Sequence, residues 1–247
     1  MPLYRDEAVV LRTHKLAEAD RIVTLLTREH GRVRAVAKGV RRTTSKFGSR
    51  LEPFTHVDLM LAEGRNLDTV TQAETLTSWS STLGNDYERY TAGTVMLETA
   101  ERLASEEKDP SVQQFLLLVG GLRAMATGDH RPSQILDSYL LRALSVAGYA
   151  PSFEHCAHCG LEGPHRHFSP AAGGVLCVTC RVPGSASPSA ETIVVLGALL
   201  AGDWATVEAA APRHLSEASG LVAVYLQWHL ERGLKSLPYV DRRASSA

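Results

Sequence analysis

The chain carries four cysteines in 247 residues, and their spacing is its tightest constraint. Cys156 and Cys159 form one C-x2-C pair, Cys177 and Cys180 a second, with 17 residues between the pairs. Two intervening residues let a tight turn aim both thiolates at one ion. The longer excursion lets a hairpin bring the second pair opposite. Four thiolates then close a tetrahedron about 2.3 Å from a zinc ion, with no open position for substrate. Gly160, directly after Cys159, suits the turn. Three other readings compete. A redox C-x-x-C belongs at the start of a helix in a βαβ setting, whereas these pairs sit in a loop-rich stretch. Haem attachment needs C-x-x-C-H, and Gly160 and Arg181 occupy the positions after each pair. Disulfides call for an oxidising compartment, and the N-terminus lacks a basic stretch followed by an apolar core. Structural Zn2+ at Cys156, Cys159, Cys177 and Cys180 is the expectation. His155, His158, His165 and His167 are nearby alternates or loop residues.

Around this insert, at 151–184, the chain changes character. Residues 1–80 read as five short strands: Glu7–Leu11, Asp20–Thr27, Gly31–Lys38, His56–Leu61 and Leu67–Ala73. In the third, Val33, Ala35 and Ala37 share one face, and Arg32, Arg34 and Lys38 the other. Five strands in so short a span predict a small barrel of OB-fold or SH3-like type. After Trp79 the period becomes helical. Helices are expected at Asn85–Glu107 (Tyr90, Leu97, Ala100 and Ala104 on one face) and Ser111–Ala126 (Val112, Phe115, Val119, Leu122). Others are expected at Ser133–Ala147, Ser189–Leu200 and Ser216–Lys235. The fold class is thus multi-domain α+β: a barrel at 1–80, then a helical domain at 81–247 carrying the cysteine insert.

Hydrophobic residues are 44% and charged residues 21% of the chain, as in ordinary globular proteins. No apolar run approaches the roughly 18 residues of a membrane span; Ile193–Ala201 falls far short. No membrane association and a cytoplasmic location are the expectations. The net charge is −1, but it is unevenly placed: residues 1–80 hold 13 Lys and Arg against 10 Asp and Glu. Residues 28–50 hold eight basic residues against Glu29 alone, a local +7. Such a patch on a neutral protein points to a polyanion. Lysine and arginine neutralise phosphates, and the hydroxyls of Thr43, Thr44 and Ser45 can add hydrogen bonds. Phe47 within this run is read two ways: stacked on an unpaired base, or anchoring the loop to the barrel. The chain lacks a P-loop, G-x-G-x-x-G, H-E-x-x-H and G-x-S-x-G. A binding protein rather than an enzyme is expected.

Several segments, in order, carry a resemblance. They are Ala17-Glu-Ala-Asp-Arg-Ile-Val-Thr-Leu-Leu-Thr27, Gly31, Lys38-Gly-Val-Arg-Arg, Leu51-Glu-Pro-Phe54, the cysteine quartet, and His229-Leu-Glu-Arg-Gly-Leu-Lys-Ser-Leu237. Together they resemble the RecO family of bacterial recombination mediators across essentially the whole chain. The resemblance implies an N-terminal OB-fold and a helical C-terminal domain with a zinc module. It implies binding of single- and double-stranded DNA and annealing of complementary strands without ATP. It also implies help in replacing the single-stranded DNA-binding protein SSB with RecA during gap repair by the RecF pathway. Expected partners are RecR, the SSB C-terminal tail and, indirectly, RecA, which would make the protein nucleoid-associated. Some family members lack the cysteines, which accords with structural zinc. DNA contact is carried onto Arg34, Lys38, Arg41, Arg42, Lys46 and Arg50. An apolar, acidic SSB tail calls for an arginine-edged groove, with Arg123, Arg131 and Arg142 as candidates. A zinc-ribbon transcription or RNA-binding factor, and a zinc-stapled enzyme, are the rival classes.

Overall fold

The computed structural model describes residues 2–41, 45, 47–104, 109–230 and 233–241. Of the expected DNA-contact residues, Arg42 and Lys46 lie outside them. Contacts divide the chain into two compact units, Met1–Asp129 and His130–Ala247.

In the first unit, β1 (Leu3–Leu16), β2 (Asp20–Thr27), β3 (Arg32–Ala37), β4 (Thr55–Ala62) and β5 (Asp68–Ser78) form a closed barrel. Its order is β1-β2-β3-β5-β4. β1 is long enough to serve two neighbours: Leu3–Val9 pair with β4, and Ala8–Leu16 with β2. A bulge between Val10 and Arg12 turns the strand from one partner to the other. Closure comes from a short parallel pairing, Ala35 opposite Asp68 and Val36 opposite Thr69. Alternation fills the interior. Val33, Ala35, Val57, Leu59 and Leu61 are buried in one cluster, while Arg34 and Lys38 face out. Each fully buried aliphatic side chain contributes about 1.5–3 kcal/mol.

Phe47 settles its two readings: it is 1% exposed and packs in the barrel core with Val40 and Leu51. Its ring anchors the chain rather than facing a base. Gly48–Leu51, a 3-10 turn, follows it directly. Phe47→Leu is expected to cost about 1 kcal/mol, since hydrophobic volume is mostly kept. A denaturant midpoint shift with unchanged DNA affinity checks it.

Helices α1 (Ser80–Gly84), α2 (Tyr87–Leu103) and α3 (Val112–Thr127) belong to the same unit. Asp86 caps α2 by accepting from the Arg89 amide, and Ser111 caps α3 by accepting from Gln114. Leu97, Ala100, Phe115, Val119 and Leu122 are buried as expected. Tyr90 and Val112 are not: they are 47% and 41% exposed, with the Tyr90 ring resting edge-on against Phe54 at 5.7 Å.

His56 lies under these helices, stacked on Trp79 (6.3 Å) and edge-on to Phe115 (5.7 Å). Burial lowers its pKa; Glu7 opposes this and Arg123 adds to it. The folded state thus binds fewer protons than the unfolded chain. The contribution is fully present above the unfolded value, about 6.5, and is lost as pH falls below it. Denaturant melts from pH 7.5 down to 5 are expected to show falling stability, and His56→Phe is expected to flatten that slope.

The second unit packs α4 (Pro132–Val146), α5 (Ala190–Ala201), α6 (Trp204–Ala209) and α7 (Pro212–His229). The last helix starts earlier than expected, because Pro212 at its first turn is already shaped for a helix. It ends at His229 rather than Lys235. The short α6 was not foreseen, although Asp203 caps it through the Thr206 amide. A hairpin, β6 (His167–Ser169) with β7 (Gly174–Leu176), lies between α4 and α5.

Candidate functional site

The hairpin delivers the cysteines. β7 ends at Leu176, one residue before Cys177, and Ala157 donates its amide to Val175 of the same strand at 2.8 Å. Gly160 adopts φ +75° and donates to the Cys156 carbonyl at 2.9 Å, closing the first knuckle in a conformation that favours glycine. The Cys180 amide reaches the Cys177 carbonyl at 3.2 Å in the second. Phe168 on β6 stacks with Phe153 and meets Tyr225 of α7 at 5.9 Å, which seats the module on the helices.

The four sulfurs all lie within 4.8 Å of one another, with Cys159 and Cys177 3.9 Å apart. Tetrahedral thiolate ligation at about 2.3 Å would separate sulfurs by about 3.8 Å. The donor set therefore fits one metal ion, and its chemistry selects a thiophilic one. Hydrogen bonds from the backbone of Cys177, then of Cys159 and His158, pull the Cys156 thiol down to about 5. Hydrogen bonding to Cys177 and Cys159 pushes Cys180 up to about 12. Four thiols this close cannot all ionise unaided; a divalent cation lets them. No histidine joins the cluster: His165 bonds the Leu161 carbonyl at 2.8 Å, and His167 the Ser187 hydroxyl at 3.2 Å.

The second candidate is a wall of the barrel. Across β1, β2 and β3, Arg12 stands opposite Thr24, and Thr24 opposite Arg34. His14, Ile22 and Val36 form the next row. Directly opposed residues share a face, so Arg12, His14 and Arg34 lie on the outer face with Lys38 just past β3, although Thr24 between Arg12 and Arg34 is itself buried, 1% exposed. Arg12 pairs with Glu101 at 2.7 Å. The chain after β3 folds onto the β1–β2 loop: Gly39 donates to Asp20 at 2.7 Å, and the Arg41 guanidinium to the Glu18 carbonyl at 2.8 Å. Arg34, Lys38 and Arg41 are all exposed residues.

Arg50 goes elsewhere. It lines a surface cavity of about 460 Å³ with Arg5, Asp58, Gln72 and Glu74, where Asp58 is engaged by Arg5. Sequence reasoning missed His14 and Lys15, exposed on β1, and Arg65, exposed in the β4–β5 loop. That loop feeds Asp68, which pairs beside β3. The alternation of Arg12 and His14 was visible, but only register puts them beside Arg34. Of the arginines considered for an acidic tail, Arg123 lies exposed on α3 and Arg131 exposed before α4. Arg142 spends two donors on α5, reaching the carbonyls of Leu200 and Ala201 at 3.0 Å each.

One grouping resembles hydrolase machinery. Ser189 Oγ lies 2.8 Å from His214 Nδ1, with Glu217 beside them. Yet Glu217 bonds the hydroxyls of Ser189 and Thr192 rather than orienting the imidazole, as a triad requires. Ser189 accepts from the Thr192 amide, so the cluster caps α5.

Comparison with known proteins divides the chain after β5, at 79–84, rather than after Asp129. The family model "Recombination protein O N terminal" matches residues 1–79, and "Recombination protein O C terminal" matches 84–238. A protein called DNA repair protein RecO from Nocardioides sp. is 77% identical over 243 residues, covering 97% of this chain and 100% of that one. Proteins of the same name from Streptomyces avermitilis and Thermobifida fusca are each 61% identical, over 98% of this chain and all of theirs. Barrel, helices and cysteine module are matched nearly end to end, and the chain belongs to the RecO family of DNA repair proteins.

Proposed function

We propose that the barrel of residues 1–80 is an OB-fold that binds single- and double-stranded DNA along its β1–β2–β3 wall. The observation that carries this reading is the shared outward placement of Arg34, Lys38 and His14, flanked by Arg41. The strand order, closed by a parallel β3–β5 pairing, supports the OB assignment over an SH3-like barrel. Strand 2–3 faces, together with the β1–β2 and β4–β5 loops, hold oligonucleotides in that fold, and the second loop supplies Arg65. Arg42 and Lys46 extend the same basic segment.

The protein anneals complementary strands and helps replace SSB with RecA in gap repair by the RecF pathway, with RecR as partner. Annealing makes and breaks no covalent bond, so no catalytic residue is assigned. Two polyanions repel, and a cationic wall that holds both lowers that barrier. The SSB tail is assigned to Arg123 and Arg131; Arg142 has a structural occupation already. Zn2+ at Cys156, Cys159, Cys177 and Cys180 is structural and staples residues 151–184. Cytoplasmic, nucleoid-associated action follows from this reading. No helix among the described residues is long and apolar enough to cross a membrane.

The test is annealing of complementary strands precoated with cognate SSB, without nucleotide triphosphates. Acceleration is the expected result. DNA binding without acceleration would favour a zinc-ribbon nucleic-acid factor instead.

A further inference from the structure

A cleft of about 600 Å³ opens between the cysteine module and α5, wholly within the second unit. Its α5 side is apolar, with Ile193, Val194, Gly197 and Ala201. Val194 is 58% exposed there. Its rim is acidic: Glu154, Glu162 and Asp203 line it beside His155 and His165, and no lysine or arginine does. Among the described residues, no salt bridge engages Glu154 or Glu162. The Thr206 hydroxyl and backbone hold the Asp203 carboxyl below its usual range, so it is charged at neutral pH.

Gly197 adds a second observation. It sits inside α5, where glycine destabilises a helix relative to alanine. A Cβ there would meet nothing within 4 Å, so the chain's own packing does not require the glycine. What the glycine does is deepen the cleft.

We propose that this cleft docks a short basic segment of a partner protein, seating an apolar side chain against Gly197 and lysines or arginines against Glu154, Glu162 and Asp203. The volume suits a few side chains. The charge selects the occupant: the same carboxylates repel an acidic tail, so this surface is distinct from the one proposed for SSB. It rests on neither DNA binding nor annealing.

The test uses the full-length protein and two fluorescein-labelled peptides of equal length, one alternating leucine with lysine, the other leucine with glutamate. Fluorescence anisotropy is expected to show binding of the basic peptide that weakens with salt, while the acidic peptide binds only at the arginine-edged surface proposed for SSB and is indifferent to changes in this cleft. Gly197→Leu, which fills the cleft, is expected to weaken basic-peptide binding about tenfold, a loss typical of one displaced apolar anchor. Val194→Lys, at an exposed position that folding does not need, is expected to weaken it comparably by repulsion and lost apolar contact. Glu154→Gln with Glu162→Gln is expected to cost about threefold to tenfold. Absent binding of the basic peptide, an equal weakening of acidic-peptide binding by Gly197→Leu, or unchanged basic-peptide affinity in both Gly197→Leu and Val194→Lys would overturn the proposal. So would a protein dimer in sedimentation that Val194→Lys dissolves, since a second copy would then occupy the cleft.

Discussion

Cys177→Ser is expected to abolish stoichiometric zinc binding and to lower the stability of the second unit by several kcal/mol. Cys177 is buried at the meeting of both knuckles, and its sulfur lies 3.9 Å from that of Cys159. Removing one thiolate opens the tetrahedron and leaves three close thiols without their shared counter-ion. Structural zinc sites in small domains are worth about 10–16 kcal/mol. Here Phe168 still packs against Tyr225, so part of the module's anchorage survives. An expected loss on the order of 5 kcal/mol reflects that difference. Atomic emission gives the zinc content, and thermal melting with and without chelator gives the stability. DNA affinity is expected to change far less, because the proposed DNA surface lies on the other unit. A wild-type protein that is free of zinc and melts normally would sink the structural-zinc assignment.

The second large effect belongs to the barrel wall. Arg34→Glu with Lys38→Glu is expected to weaken single-stranded DNA binding about a hundredfold at low salt, by removing two cations and adding two repelling charges. The slope of log affinity against log salt is expected to flatten by about 1.4, at about 0.7 per lost phosphate contact. Both residues are exposed and outside the buried cluster, so circular dichroism should be unchanged. Arg50→Glu is the comparison. Arg50 lines a cavity away from the β1–β2–β3 wall, with Arg5, Asp58 and Glu74, and its reversal is expected to have a much smaller effect. Equal losses from both variants would mean that diffuse charge, not the β1–β2–β3 wall, holds the DNA.

Much of this protein is written in local patterns. C-x2-C twice, with room for a hairpin between, needs no more than chain geometry to converge on one point. Period-two alternation in GRVRAVAK assigns Val33, Ala35 and Ala37 to the interior because successive side chains in a strand point to opposite faces. Helix starts at Ser111 and Ser189 were legible for the same reason, and in the structure each of these side chains accepts from the amide three residues on. Where a pattern was ambiguous, packing decided it. Tyr90 and Val112 keep helical spacing with buried neighbours, yet stay 47% and 41% exposed.

The tertiary structure decided which charges act together. Eight cations within residues 28–50 look like one patch on paper. Strand pairing puts Arg34 in one row with Arg12, across Thr24, and Arg50 lines a different cavity with Arg5, Asp58 and Glu74. Folding drew Phe47 into the core, where burying its ring gains more than exposing it. It turned Arg142 inward onto the end of α5, whose last carbonyls need donors. Metal-ligand spacing and strand alternation are properties of short stretches, so the chain states them openly. Shared faces depend on hydrogen-bonded pairing between distant stretches, and those exist only once the barrel has closed.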